Sequence, residues 1–209
     1  MIPIGFLGSQ TYPPASASQV SQNSTDSNSS VYTWTISLGA EDPNRVIVVM
    51  HGQQVLISSV TINGVSATLV GSAYNQISYV HLPTGTTGTM VITLSAGDSR
   101  SGYYAFRVIP GKSKVPYVSI NDTSLSFTSS TMALKKDSVM FVLASRNTGN
   151  SNNGLTWNGA ETMLVNHHDF SSENYCWTFG RVLTPIIANE TVQFTCTLKQ
   201  TKFNAISFR

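Results

Sequence analysis

His167-His168-Asp169 is the run closest to metal or acid–base chemistry, because imidazoles ligate metals and titrate near neutral pH and a nearby carboxylate can orient them. On a strand, however, adjacent histidines point to opposite faces, and no ligand spacing ties them to His51 or His81. We read them as loop-edge histidines. Gly111-Lys112-Ser113 matches the end of a phosphate-binding loop, but Phe106 stands where the earlier glycine is required, and Val115-Pro116 follows in place of a helix. It reads as a surface turn. Paired carboxylates that cleave glycosides have no local signature, and Asp42, Asp98, Asp137 and Asp169 fall where turns are expected. No Gly-x-Ser-x-Gly elbow is present. We therefore expect a protein that is not an enzyme, with no catalytic residue, no metal and no cofactor.

Trp34, Trp157, Trp177 and the tyrosines could stack on sugars, yet their place on alternating patterns assigns most of them to core packing. Tyr103-Tyr104 is the exception, since neighbours on a strand cannot both face one core; one of them belongs at an interface or between two units. The same alternation turns Tyr175, Trp177 and Phe179 inward and Cys176 outward. Cys196 lies on the apolar face shared by Val192 and Phe194, so the two thiols are expected free and on different sides of a sheet.

The elements that must position these residues are strands. Tyr32, Trp34, Ile36 and Leu38 alternate with Val31, Thr33, Thr35 and Ser37, and residues 45–50 are apolar on both faces, as in a central strand. Val60-Thr-Ile, Asn63-Gly64 and then residues 66–70 predict a hairpin, because Asn-Gly tolerates the positive φ angles of a type I′ turn. Further strands are expected near residues 76–82, 89–95 and 103–109. Residues 60–70 align with residues 155–165 at an offset of 95, with five of eleven positions identical, which sets a second turn at Asn158-Gly159. No apolar stripe at helical spacing is sustained. The fold class is thus all-β, with two tandem antiparallel β-sandwich units of jelly-roll or Ig-like type over residues 31–110 and 111–209.

Residues 1–30 precede them as an extended N-terminal arm. The Ser16–Ser30 tract has almost no core-forming residues and cannot fold alone, which fits a flexible tail as well as an arm. Ile2, Ile4, Phe6, Leu7 and Tyr12 supply an apolar tip that could dock on a neighbouring subunit. Charged residues make up 11% of the chain against about 25% in ordinary soluble domains, and the formal net charge is +2. That excludes a strong field for nucleic acid or an anionic membrane, and no run approaches a membrane span. A polar surface with few charges suits lasting contact with protein, or with glycan.

Residues 45–49, 59–70 and 82–95, with Leu155-Thr-Trp-Asn-Gly159 and Asn204-Ala-Ile-Ser-Phe208, are similar in order and type to a recurrent β-rich family of tailed bacteriophages and prophages. The resemblance spans most of residues 31–209 and leaves the first 30 outside. It implies a virion structural protein without catalytic residues, most simply a capsid decoration or cement protein, with a tail or fibre accessory role or a host-glycan-binding module as alternatives. Its partners would be the major capsid protein or tail proteins and further copies of itself, in a homo-oligomer such as a trimer. With no signal peptide in residues 1–8, we expect synthesis in the host bacterial cytoplasm and a final place on the virion.

Overall fold

The structure is a computed structural model and describes residues 11–72, 75–98, 100–127, 129–146, 154–170, 175–196 and 201–209. Among them the only regular elements are strands. The first unit holds β1 (Ser16–Thr25), β2 (Ser29–Ser37), β3 (Val46–Gln53), β4 (Ile57–Ile62), β5 (Val65–Ser66), β6 (Thr68–Ser72), β7 (Asn75–His81), β8 (Thr87–Asp98) and β9 (Ser101–Ile109). The second holds β10 (Val118–Phe127), β11 (Ser129–Leu134), β12 (Val139–Arg146), β13 (Leu155–Trp157), β14 (Leu164–Phe170), β15 (Tyr175–Val182), β16 (Glu190–Cys196) and β17 (Thr201–Phe208).

Every pairing among these strands is antiparallel, in four sheets. In the first unit an inner sheet in the order β1-β9-β3-β7-β6 faces an outer sheet β2-β8-β4-β5; in the second, β10-β17-β12-β15-β14 faces β11-β16-β13. First strand beside last, and second beside last but one, is jelly-roll order. Each unit closes on its own core: Ile36, Ile47, Val60, Ile92 and Ala105 in the first, and Met132, Val142, Val192, Phe194 and Ala205 in the second.

A third core lies between the two inner sheets. Val48, Met50, Phe106 and Val108 of the first unit meet Phe141, Leu143, Trp177, Phe179 and Phe208 of the second, all buried. The inner strands are therefore covered on both faces, which is why residues 46–50 and 139–144 are continuously apolar. The units form a stack of four sheets, outer–inner–inner–outer.

Two expectations differ from this arrangement. The Ser16–Ser30 tract assigned to the arm contributes β1, which pairs with β9 from Ser16–Ile109 to Thr25–Ser101. Its lack of core residues matters little on a sheet edge, where ladder hydrogen bonds do the holding and only Ala17 and Val20 pack inward. The hairpin at Asn63-Gly64 is also shorter than expected: only Val65 and Ser66 pair with β4, and the chain then passes to the inner sheet as β6. Leu69 and Val70 are the reason, because adjacent apolar residues need both faces covered. Leu69 packs on the first unit's core and Val70 on the central one.

Candidate functional site at the junction of the two units

The inner sheets carry matching rows of residues. Val70, Ile77, Met50, Tyr104 and Gln22 lie side by side across the first, and Asn166, Phe179, Leu143, Asn204 and Asn121 across the second. The rows cross so that each one's fourth residue meets the other's first. Asn204 Nδ2 donates to the Val70 carbonyl at 2.6 Å, and Asn166 Nδ2 lies 3.5 Å from Tyr104 Oη as donor. Reciprocal contact of this kind is the mark of a two-fold relation, here between the halves of one chain.

The two sides are not alike in what fills them. On one, β6 packs against β10. On the other, Tyr104 and Phe179 pack with ring centroids 4.7 Å apart, and the Arg181 guanidinium lies 5.6 Å from the Tyr104 ring centre. Arg181 donates from Nη1 to Asn166 Oδ1 at 2.9 Å, and its Nε has no partner among the described residues. Burial lowers its pKa, and the aromatic faces stand in for a carboxylate. Beside this cluster opens a cleft of about 250 Å³, lined by Gln22, Asn23 and Ser24 of β1, Gly102, Tyr103 and Tyr104 of β9, and Trp177 and Phe179 of β15. Apart from tyrosine hydroxyls, no lining side chain ionises. Trp177 and Phe179 are buried behind it, so half-buried Tyr104 and the exposed Gln22, Asn23 and Ser24 are what a ligand would touch. At Gly52 the inner sheets approach so closely that a Cβ would lie 2.9 Å from the Trp177 ring.

A polar group closes one end of the first unit. His51 Nε2 and Ser78 Oγ are 2.7 Å apart, Gln53 Nε2 donates to Ser101 Oγ at 2.7 Å, and the Asp98 carboxylate accepts from the amides of Gln54 at 2.6 Å and Arg100 at 3.1 Å. Burial pushes His51 down to about 3, and burial raises the Asp98 pKa against the bonds from those amides. Both residues of the Ser78–His51 pair are buried, and His51 Nδ1 has no hydrogen-bond partner among the described residues. In the second unit, Glu161 accepts from the Ile187 amide at 2.6 Å and Glu190 from the Ala160 amide at 3.3 Å. Burial, then the adjoining Glu161 carboxyl, raise the Glu190 pKa against the Ala160 bond. The pair braces two loops.

The residues singled out in the sequence are scattered through this frame. Asn63 and Gly64 have φ of 51° and 76°, as a type I′ turn requires. Neither Asn158 nor Gly159 has a positive φ; the chain turns there by another route. Tyr12 lies on its own chain with the Lys112 ammonium 5.6 Å from its ring centre, while Ile2, Ile4, Phe6 and Leu7 lie outside the described residues. Gly111 is the glycine of a crossing, not of a phosphate loop, since a Cβ there would sit 1.7 Å from the Pro13 carbonyl oxygen. His167 and His168 belong to β14, with side chains outside the description, as is that of Cys176. Cys196 is a free thiol buried in the second core. Tyr103 and Tyr104 divide as expected, one into the first core and one against the central core. Among the described residues no three His, Cys, Asp or Glu side chains gather as metal ligands, and no helix is long and apolar enough to cross a membrane.

Arg181 and Asn166 escaped the sequence reading because their meaning depends on a partner sheet about sixty residues earlier; the isolated Arg in an apolar strand was the available signal. Comparison of the chain with protein-family models, with curated proteins and with solved structures finds no match.

Proposed function

We propose that this chain is a non-enzymatic bacteriophage virion protein that decorates or cements the particle surface, with a tail or fibre position as the other address. The observation that carries the reading is the chemistry of the two outer faces. On the first outer sheet Val31, Thr33, Thr35 and Ser37 of β2 stand beside Thr93, Val91, Thr89 and Thr87 of β8, and Ser59 and Thr61 of β4 extend the rows. On the second, Ser129, Thr131 and Ala133 of β11 stand beside Thr195, Gln193 and Thr191 of β16, with Thr156 beyond. None of these residues carries a charge. Covering such a face removes hydroxyls and methyls from water but strands no ion, so it suits permanent contact with other protein. The order of strands and the family resemblance support the same reading.

The test is to place Glu at Thr35 or Thr131 and to count copies of the protein on purified particles by quantitative mass spectrometry. Both positions are exposed, so the isolated protein should melt as before, within about 0.5 kcal/mol. Occupancy of the particle should fall severalfold. Full occupancy with both substitutions overturns the cement role, as does a copy number fit only for a tail tip.

A second reading, a host-glycan-binding module, is favoured by the junction cleft, whose amide and hydroxyl rim beside Tyr104 suits a neutral sugar. The Asn-rich segment 146–154 is also a candidate for sugar contact, and its residues 147–153 lie outside the described residues. Glycan-array binding lost in Asn23→Ala supports it; no binding at millimolar sugar removes it.

A further inference from the structure

A second pocket, of about 230 Å³, lies away from the junction cleft and is lined by Lys112, Ser113, Tyr117, Lys135 and Arg209. Three of its five lining residues have cationic side chains and none has an acidic one. That is a high density of charge for a chain with only 12 basic residues among 209. The fold assembles them from three separate places: the connection between β9 and β10, the turn after β11 and the residue after β17.

Among the described residues neither lysine pairs with an acidic side chain. The Lys112 ammonium lies 5.6 Å from the centre of the Tyr12 ring, and that of Lys135 5.7 Å from the centre of the Tyr117 ring. An aromatic face fixes the position of an ammonium but leaves N–H groups for another acceptor. Tyr117 is itself fixed, its hydroxyl accepting from the Lys135 amide at 2.8 Å and donating to Ser138 Oγ at 3.2 Å. The amides of Lys112 and Ser113 both bond to the main-chain oxygen of Arg209, at 2.8 and 3.1 Å, which draws Arg209 against the loop. Those two amides are thus engaged, and an incoming anion would be met by side chains. Ser113 Oγ accepts from the Val115 amide at 3.2 Å and keeps its own proton to donate. Asp137, two residues from Lys135, does not line the pocket.

We propose that this pocket binds a small oxyanion, held by Lys112, Lys135 and Arg209 with a bond from the Ser113 hydroxyl. Three convergent cations beside a hydroxyl match the acceptor oxygens of phosphate, sulfate or a carboxylate group, and charge-assisted bonds of this kind are the stronger class. The proposal is independent of the virion role. It is tested on the full chain by NMR chemical-shift titration with inorganic phosphate, sulfate and acetate, each at ionic strength matched with sodium chloride. Saturable shifts at Lys112, Ser113 and Lys135 are expected with phosphate or sulfate. Equal saturation by acetate would identify a carboxylate group as the source, and silence from acetate a tetrahedral anion. Lys112→Gln and Lys135→Gln should each weaken binding about tenfold, the effect of losing one charged contact. Lys114→Gln should not, because Lys114 shares the loop but not the pocket, and bonds through Nζ to the Pro43 carbonyl. All three positions are exposed, so folding is unaffected. No saturation beyond chloride, or an equal loss in Lys114→Gln, overturns the site.

Discussion

Asn63 and Asn158 occupy the same place in the two units and make the same two hydrogen bonds to the neighbouring strand. Asn63 donates from its amide to the Thr89 carbonyl at 2.9 Å and accepts at Oδ1 from the Thr89 amide at 2.8 Å. Asn158 donates to the Gln193 carbonyl at 3.3 Å and accepts from the Gln193 amide at 2.7 Å. In each unit the side chain imitates one more residue of ladder where the strand has ended. The glycines that follow serve different ends. Gly64 has φ of 76° and open space around its missing side chain, whereas a Cβ on Gly159 would meet the Trp157 ring at 2.5 Å. The repeated dipeptide thus preserves a hydrogen-bonding pattern, and conformation only in the first unit.

Alanine at the two glycines should consequently fail for different reasons. Gly64→Ala places a Cβ in the left-handed region and should cost about 1 kcal/mol. Gly159→Ala must displace the Trp157 indole, and overpacking of this kind costs about 2 kcal/mol. Urea denaturation of both variants gives the comparison. An equal cost, or the reverse order, would show that the ring moves away freely.

The buried His51 makes the first unit acid-sensitive. Its pKa lies near 3 in the folded chain and near about 6.5 when unfolded, so between these values the unfolded state binds the extra proton. The stabilising effect of keeping His51 neutral is complete above about pH 6.5, falls by about 1.4 kcal/mol for each pH unit below it, and is exhausted near pH 3. His51→Asn should flatten the loss of stability between pH 7 and pH 5, a range above most carboxylate titration. An unchanged slope in urea midpoints would mean that His51 is hydrated or protonated within the fold.

Much of this architecture was legible because alternation in a strand reports which faces are covered. Period two alone puts Trp177 and Phe179 on one buried face, Cys196 on another, and Tyr103 and Tyr104 in separate environments. What alternation does not contain is the identity of the covering sheet. Leu69 and Val70 fit a hairpin partner of β4 by sequence, and only the second buried face moves them to the inner sheet. The polar β1 was illegible for the complementary reason: its stabilisation comes from backbone bonds to β9, which side-chain types do not record. The junction was hidden because its residues come from β1, β9, β14 and β15, and no local motif joins them.

Cys196 should behave as a core residue and not as a reactive thiol. It is buried among Phe194, Leu155 and their neighbours, and burial pushes its pKa up to about 12. In a Cys176→Ser background a thiol-specific chromogenic reagent should leave the native protein unlabelled and label it fully in denaturant. Rapid labelling of the native chain would mean that the second core opens locally.

The closest test of the stack is Gly52, where the inner sheets of the two units come nearest. A methyl group there would stand 2.9 to 3.2 Å from three atoms of the fully buried Trp177 ring, so the sheets must part or the ring must tilt. Because the central core holds residues of both units, separating them exposes Met50, Phe106, Phe141 and Phe179 together. The two units should therefore unfold in one cooperative transition, with Trp177 fluorescence, isolated by Trp34→Phe and Trp157→Phe, coinciding with far-ultraviolet dichroism. Gly52→Ala should lower stability by about 1–3 kcal/mol without splitting that transition. If the two probes separate already in the unsubstituted chain, the units are independent bodies in contact. The central core would then be an interface that opens before either sandwich melts.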